Sequence, residues 1–174
     1  YKLDLNKDLN KILSLIKKKK PNYIINFASQ SMVGQSWKHP VDWYNTNVIS
    51  GIKLIEGIKK IKFIKKFVHI STPEVYGSTK YNLKENFNFN PTTPYAISRA
   101  CFDNHLLSMH KYFNFPVVFT RASNVYGPCQ RLYRIIPASI ISATSNNKLK
   151  LEGGGKSKRN FIYVEDVAKA TYKI

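Results

Sequence analysis

The stretch FVHIST, at residues 67–72, indicates how this chain folds. It is a short apolar run that lacks the polar alternation of a half-exposed strand, and it ends in two hydroxyl residues, Ser71 and Thr72. Short uninterrupted runs of this kind are typical of strands that are buried on both faces of a parallel sheet. We therefore predict a buried strand at 67–70, with Ser71 and Thr72 at its carboxyl end.

Similar apolar runs lie before and after this stretch, and segments with helical spacing separate them. The predicted strands are residues 23–27, 67–70, 115–120 and 161–164. The predicted helices are residues 7–18, 41–60, 95–113 and 132–145, followed by a last helix with Asp166 as its N-cap. Alternation of strands and helices, with connections long enough for crossovers, predicts an α/β fold with a doubly wound parallel sheet.

The composition is that of one folded domain. The chain has 174 residues and a mass of 20.1 kDa, and 43% of its residues are hydrophobic, which excludes a disordered chain. Its two cysteines, Cys101 and Cys129, and its four histidines show no ligand spacing, so we predict neither a disulfide framework nor a metal site. No apolar run approaches the ~20 residues of a membrane span and no signal peptide opens the chain, so we expect a cytoplasmic protein.

The charge is strongly positive. Lys and Arg together number 28 and Asp and Glu together number 10, which gives a formal net charge of +18. An excess of positive charge this large makes nucleic acid a candidate partner. Most of the charge is lysine in loops and on the outer faces of predicted helices, however, so we interpret it mainly as solvated surface. Attraction of anionic nucleotide substrates is a second interpretation. A non-catalytic binding module, with nucleic acid as one candidate ligand, remains an alternative.

Polar residues follow each of the first three predicted strands. They are residues 28–30, 71–77 and 121–130. In open α/β sheets the ligand binds beyond the carboxyl ends of the strands. The sequence therefore predicts a site at this edge of the sheet.

Six blocks, in order along the chain, carry a family resemblance. They are NFASQS at 26–31, YNTNVISGIKLIE at 44–56, HISTPEVYGS at 69–78, NPTTPYAISRA at 90–100, TRASNVYGPCQ at 120–130 and GGGKSKRNFIYVEDVAKA at 153–170. With these blocks the chain resembles the extended short-chain dehydrogenase/reductase family. It is most similar to the nucleotide-sugar epimerases and dehydratases of that family, and among them to the 4,6-dehydratases.

The resemblance also implies how the domains are arranged. Family members open with a strand and a Gly-x-x-Gly-x-x-Gly turn that cradles the NAD pyrophosphate, and these 174 residues hold no such turn. Residues 1–130 are therefore expected to be a partial NAD(P)-binding, Rossmann-like domain without its glycine-rich first unit. Residues 131–174 are expected to begin a smaller substrate-binding lobe. We expect the isolated chain to bind NAD weakly and to be inactive by itself.

Tyr95 and Arg99 match the family's catalytic tyrosine and the lysine four residues after it. In the family the tyrosine takes the proton of a sugar hydroxyl while NAD accepts a hydride, and the lysine favours the phenolate and contacts the nicotinamide ribose. Arg99 keeps the positive charge, but its planar guanidinium does not reproduce the contacts of a lysine.

Thr72 and Glu74 match two further catalytic positions. The resemblance implies that the Thr72 hydroxyl binds the reacting sugar oxygen and that Glu74 removes the C5 proton in a 4,6-dehydratase. Pro73 stands where these dehydratases carry an acid, and proline has no side-chain proton. Glu74 thus favours a dehydratase, whereas Pro73 favours the alternative, a 4-epimerase, which needs no base at C5.

The remaining candidates are binding residues implied by the resemblance. Cofactor contacts are expected from Ala28, Ser29, Asn47, Ser71, Tyr95 and Arg99, and substrate contacts from Gln30, Asn124, Arg134 and Arg159, with Arg131 nearby. The expected cofactor is NAD, with NADP as the alternative. The expected partners are a nucleotide sugar and, in the full-length protein, a second copy in a homodimer.

Overall fold

The first part of the chain contains a parallel sheet of three strands. In the computed structural model, which describes residues 1–79, 82–155 and 158–174, strands β1 (Tyr23–Asn26), β2 (Lys66–Ile70) and β3 (Val117–Thr120) pair in the order β1-β2-β3. The register aligns Ile24 with Phe67 and Phe67 with Val117. This order confirms the predicted parallel α/β sheet.

Seven α-helices are found among the described residues. They are α1 (Leu9–Lys19), α2 (Val33–Lys38), α3 (Pro40–Tyr44), α4 (Gly51–Ile58), α5 (Pro94–Phe113), α6 (Ile135–Thr144) and α7 (Val164–Lys173). A π-helix covers Asn45–Ser50, and 3₁₀ turns cover Pro73–Tyr76 and Glu152–Gly155. The predicted helix 41–60 is therefore three consecutive segments, because apolar spacing alone does not distinguish a π turn from an α turn.

A hydrophobic core lies between the sheet and the helices α4 and α5. Its buried members are Leu54, Ile55, Ile58, Ile64, Phe67, Phe102, Leu106 and Phe115. The rings of Phe67 and Phe115 lie 5.6 Å apart, which joins β2 to the entrance of β3. The apolar stripe of α1 also packs against this core, as its spacing predicts. Each fully buried side chain of this size stabilises the fold by about 1.5–3 kcal/mol.

Helix α5 begins where the sequence predicts. Thr93 is its N-cap, and the Thr93 hydroxyl accepts a hydrogen bond of 3.1 Å from the backbone N–H of Ala96. Pro94 occupies the first turn, where its missing N–H costs nothing. The helix runs for 20 residues and ends at Asn114 in the left-handed conformation, with φ of 51°. It is therefore long enough to pack on the core and to reach the carboxyl end of the sheet.

The structure divides into two compact units, Tyr1–Arg121 and Ala122–Ile174. In the second unit, β4 (Asn124–Tyr126) pairs in parallel with β5 (Phe161–Tyr163). The prediction of Asp166 as an N-cap is wrong, because α7 begins at Val164 after the N-cap Tyr163. Asp166 instead lies in the first helical turn, where a carboxylate interacts favourably with the helix dipole.

Among the described residues, none of the helices combines the length and the apolarity that a membrane crossing requires.

Candidate active site

The candidate site lies at the carboxyl end of the three-stranded sheet. Residues 28–30 follow β1, residues 71–76 follow β2 and Arg121 follows β3. Helix α5 supplies side chains from its first turns, among them Tyr95 and Arg99. The structure thus brings the predicted residues of the first unit to one edge of the sheet.

Residues 71–76, which we call the 71–76 loop, carry Thr72 and Glu74 in a rigid local fold. The Thr72 hydroxyl oxygen accepts a hydrogen bond of 3.3 Å from the backbone N–H of Glu74 and so caps the 3₁₀ turn. Pro73 occupies the first turn position, and the side chain of Val75 is fully buried beneath it. The backbone carbonyl of Val75 accepts a hydrogen bond of 2.9 Å from the N–H of Asn90. These contacts fix the backbone from which Thr72 and Glu74 project.

Tyr95 lies in the first turn of α5 and is largely buried. Its backbone carbonyl accepts a hydrogen bond of 2.7 Å from the Ser98 hydroxyl. The Ser98 oxygen in turn accepts one of 2.9 Å from the Asn47 amide. The π-helix that carries Asn47 and the first turn of α5 are therefore joined by buried hydrogen bonds.

Asn47 also holds the loop that follows β1. Its Oδ1 accepts a hydrogen bond of 2.8 Å from the backbone N–H of Gln30, and its Nδ2 donates one of 3.1 Å to the Gln30 carbonyl. Ala28 is tied by a bond of 3.2 Å from its N–H to Asn26 Oδ1, and the Ser29 hydroxyl lies 3.5 Å from the carbonyl of Phe27. Asn47 therefore positions residues 28–30 relative to Tyr95.

Arg99 is buried, with 2% of its surface exposed. Its Nη2 donates to the carbonyl of Ile70, at the end of β2, and lies 3.2 Å from His69 Nε2. Burial lowers the pKa of Arg99, while Tyr95 and Asp103 act in the opposite direction. Its Nε is buried and has no hydrogen-bond partner among the described residues.

Asp103 and Arg121 form a buried ion pair that sequence reasoning missed. Arg121 Nη2 donates to Asp103 Oδ2 at 2.9 Å, and the Ser71 hydroxyl donates to the same oxygen at 2.6 Å. Burial raises the pKa of Asp103, and the bonds from Ser71 and Arg121 oppose that rise. A signal existed in the sequence: Tyr95, Arg99 and Asp103 are spaced four residues apart, which places them on one face of a helix.

His69 lies inside this cluster as a neutral side chain. Its Nδ1 lies 3.2 Å from Asn26 Nδ2, its Nε2 lies 3.5 Å from Asp103 Oδ1, and its ring meets the edge of Phe102 at 4.9 Å. Burial lowers the pKa of His69 well below its ordinary value, and the charges of Arg99 and Arg121 lower it further. Its complete burial and these contacts indicate a structural role for this histidine.

The substrate-binding candidates after residue 121 lie in the second unit. The Asn124 side chain donates a hydrogen bond of 3.0 Å to the carbonyl of Asn160, next to Arg159. Arg134 is the N-cap residue of α6, and its backbone N–H bonds the carbonyl of Arg131 at 3.0 Å. The helix predicted at about 132–145 is α6, which begins three residues later, at Ile135, because a turn occupies 131–134. The three arginines are exposed.

Two features of the sheet edge are consistent with a bound dinucleotide. Ala28 lies exposed after β1, and the buried Arg99 Nε is an unpaired donor at the same end of the sheet. In the part of the chain that the structure describes, His, Cys, Asp and Glu form no group of three that could hold a metal ion.

The family profile, the curated relatives and the solved structures that match this chain all point to the same family. The sequence profile described as "NAD dependent epimerase/dehydratase family" matches residues 1–174. The dTDP-D-glucose 4,6-dehydratase of Dictyostelium discoideum is 33% identical over 169 residues, covering 90% of this chain and 39% of that protein. The dTDP-glucose 4,6-dehydratase of Bacillus anthracis, solved with NAD, has a TM-score of 0.83 and 33% identity over 97% of this chain and 52% of that one.

An epimerase is also similar in structure. The UDP-glucuronic acid 4-epimerase of Bacillus cereus, solved with UDP-glucuronic acid and NAD, has a TM-score of 0.86 and 28% identity. The match covers 98% of this chain and 53% of the epimerase. The chain thus spans 39% to 53% of the length of these three proteins.

Proposed function

This chain belongs to the NAD dependent epimerase/dehydratase family, and from that membership we propose that it acts in the 4,6-dehydration of a nucleoside-diphosphate hexose. The observation that carries the proposal is the placement of Glu74 on the same capped loop as Thr72, at the sheet edge that Tyr95 also reaches. The similarity to curated 4,6-dehydratases supports it.

The first step is oxidation at C4 of the hexose. Tyr95 takes the proton of the C4 hydroxyl as general base, and the Thr72 hydroxyl orients the same oxygen. The Thr72 oxygen already accepts from the N–H of Glu74, so the Thr72 hydrogen is directed to another acceptor such as the sugar. NAD, when bound, supplies the acceptor for the C4 hydride. Arg99 contributes a fixed positive charge beside Tyr95.

Loss of water follows once C4 is a ketone. The C5 proton is then acidic, and Glu74 removes it as the C6 hydroxyl leaves as water. Pro73 cannot protonate that hydroxyl, so the proton that Glu74 has just taken from C5 goes to the leaving oxygen. Glu74 thereby acts first as base and then as acid, which keeps the proton count of the elimination balanced. The hydride taken from C4 then returns to C6 of the unsaturated sugar and a solvent proton enters at C5, which gives the 4-keto-6-deoxy product with no net oxidation.

We also propose binding residues for the cofactor and for the substrate. For the cofactor we propose contacts from Ala28, Ser29, Asn47, Ser71, Tyr95 and Arg99, with Asn47 also holding the backbone of Gln30. For the substrate we propose Gln30 near the sugar. In the second unit we propose Asn124 with Arg134 and Arg159, because guanidinium groups bind diphosphate oxygens in pairs.

Pro73 supports one alternative, an NDP-sugar 4-epimerase. Such an enzyme shares the oxidation at C4 but returns the hydride to the opposite face, so it needs neither an acid at residue 73 nor a base at Glu74. The similarity to a solved UDP-glucuronic acid 4-epimerase is consistent with this reaction.

Product mass distinguishes these reactions. The full-length protein is incubated with NAD and with UDP-glucose or dTDP-glucose, and the products are analysed by mass spectrometry. We expect loss of one water with a 4-keto-6-deoxy sugar. Conversion at constant mass would establish the epimerase, and no conversion, combined with steeply salt-dependent binding to DNA, would favour the non-catalytic module.

We also propose a cytoplasmic homodimer. Large apolar side chains are exposed on consecutive helical segments of the first unit, at Trp37, Val41 and Ile49, and a second copy would cover them. Both cysteines are unpaired, which suits a reducing compartment. Light scattering on the full-length protein tests the dimer, because a monomeric mass at micromolar concentration would contradict it.

A further inference from the structure

Both ends of the 71–76 loop are tied to one buried carboxylate. At the first end, the Ser71 hydroxyl donates to Asp103 Oδ2 at 2.6 Å. At the other end, Arg121 Nη1 donates to the Tyr76 hydroxyl at 3.3 Å, while Nη2 of the same guanidinium donates to Asp103 Oδ2 at 2.9 Å. Both ends of the loop are therefore connected to the same atom, Oδ2 of Asp103 on α5.

This connection consists of buried charged groups, which are costly to remove from water. Asp103 is fully buried, and the Arg121 side chain is 9% exposed. The guanidinium is enclosed by aromatic rings, with its carbon 5.1 Å from the centre of Phe89, 5.2 Å from Phe119 and 5.5 Å from Tyr76. Well-packed apolar residues often stabilise a core as well as a buried ion pair does. A contribution to stability is therefore a weak explanation for burying Asp103 and Arg121. A requirement to hold the 71–76 loop in a fixed geometry explains these buried charges better.

Helix α5 relates this connection to the candidate base. Tyr95 and Asp103 lie eight residues apart on one face of the helix. A rigid helix thereby fixes the distance between Tyr95 and the carboxylate that holds the 71–76 loop. Any displacement of that loop changes the position of Thr72 and Glu74 relative to Tyr95.

We propose that Asp103, Arg121 and Tyr76 are positioning residues that hold the 71–76 loop at both ends in its reactive geometry. This inference rests on the proposed function, since it concerns the placement of Thr72 and Glu74. The three residues do not touch the reacting atoms. They act on the rate through the loop and leave the binding surfaces of cofactor and nucleotide unchanged.

Tyr76→Phe tests the connection with the smallest change. It removes the hydroxyl that Arg121 contacts, and with it the bond of 3.1 Å to the carbonyl of Asn86, but keeps the ring against Phe89. In the full-length enzyme we expect kcat to fall at least ~10-fold, because small misplacements of reacting groups cost up to ~100-fold in rate. KM, NAD retention and Tm should stay close to wild type. Tyr112→Phe, on the exposed end of α5, is the matched control and should change none of these.

Hydrogen exchange gives a readout that does not depend on activity. In Tyr76→Phe the amides of residues 72 and 74–77 should exchange faster, while those in the middle of α5 keep wild-type protection. Wild-type exchange in the loop, a wild-type kcat, or a loss of kcat accompanied by lower Tm and lost NAD would each overturn the proposal. If the wild-type enzyme converts no nucleotide sugar, the proposed function fails separately, and the exchange result alone then decides whether the connection holds the loop.

Discussion

Tyr95 is the residue on which the proposed chemistry depends. It lies in the capped first turn of α5, and its backbone is bonded to Ser98 and through Ser98 to Asn47. Because these bonds use the backbone of Tyr95, its phenol oxygen is not committed by them. The arrangement fixes the backbone of Tyr95 and leaves the hydroxyl for a substrate.

Tyr95→Phe should therefore remove turnover and leave binding nearly intact. The change deletes the proposed base and keeps the ring, so we expect kcat to fall by ~10²–10⁴-fold, the usual contribution of a general base. Steady-state kinetics give kcat, and calorimetry with the nucleotide sugar gives the affinity. A variant that keeps more than about half of the wild-type kcat would show that another group is the base.

His69 should make the protein less stable in mild acid. Because burial lowers its pKa in the folded state, the unfolded chain binds more protons below pH 6.5 than the folded chain does. Stability is then complete above pH 6.5 and falls as the pH decreases, with a slope of at most ~1.4 kcal/mol per pH unit for one proton. Urea unfolding between pH 7 and pH 5 measures this slope.

His69→Gln should flatten that dependence. Burial raises the pKa of Asp103, whose effect has the opposite sign, but Asp103 is present in both proteins and its effect largely cancels in the comparison. His39→Gln, at an exposed position, controls for the loss of a histidine. An unchanged slope in His69→Gln would contradict the assignment of His69 as a buried neutral side chain.

At the scale of elements, the 3₁₀ turn that carries Glu74 depends on the glycine that ends it. Gly77 has φ of 71° and ψ of −162°, a region that residues other than glycine rarely adopt. A Cβ at this position would collide with the backbone carbonyl oxygen of Asn90. Gly77→Ala should therefore destabilise the protein by about 1–3 kcal/mol from backbone strain, and more if Asn90 cannot move.

Gly34→Ala is the matched control. Gly34 lies in α2, and a Cβ there would meet nothing within 4 Å. Alanine should stabilise the helix by about 0.5–1 kcal/mol. Thermal unfolding compares the two variants, and equal Tm changes in the same direction would show that the turn does not require a glycine.

The sequence predicted strands more completely than it predicted the site. Buried runs such as 67–70 have few alternative structures, so β1, β2 and β3 were found within three residues of their ends. The region 41–60 was correctly predicted to be helical. Its division into an α-helix, a π-helix and a second α-helix was not predicted, because a π turn changes the helical spacing of apolar residues by only one residue. The spacing of Tyr95, Arg99 and Asp103 places Asp103 on the same face of α5 as Tyr95. Its partner Arg121 could not be predicted, because that contact joins α5 to the end of β3 and no local pattern encodes it.

At the scale of the whole molecule, the net charge of +18 suits an anionic substrate. A nucleoside diphosphate carries its charge on oxygens that arginine and lysine bind, and a positive protein surface increases the rate of encounter. The same charge would attract nucleic acid. The two interpretations differ at the sheet edge, since only the enzyme requires Tyr95, Thr72 and Glu74 to lie together.

The most direct test of the dehydratase follows the hydrogen at C5 of the sugar. Turnover is run in D₂O with the full-length protein and with Glu74→Gln, and the product is examined by NMR and mass spectrometry. If Glu74 is the C5 base, wild-type product carries solvent deuterium at C5, whereas Glu74→Gln oxidises C4, seen as nicotinamide absorbance, and stops before exchange and loss of water. Unchanged turnover by Glu74→Gln, with no deuterium at C5 in either protein, would contradict the assignment and establish a reaction without a C5 base.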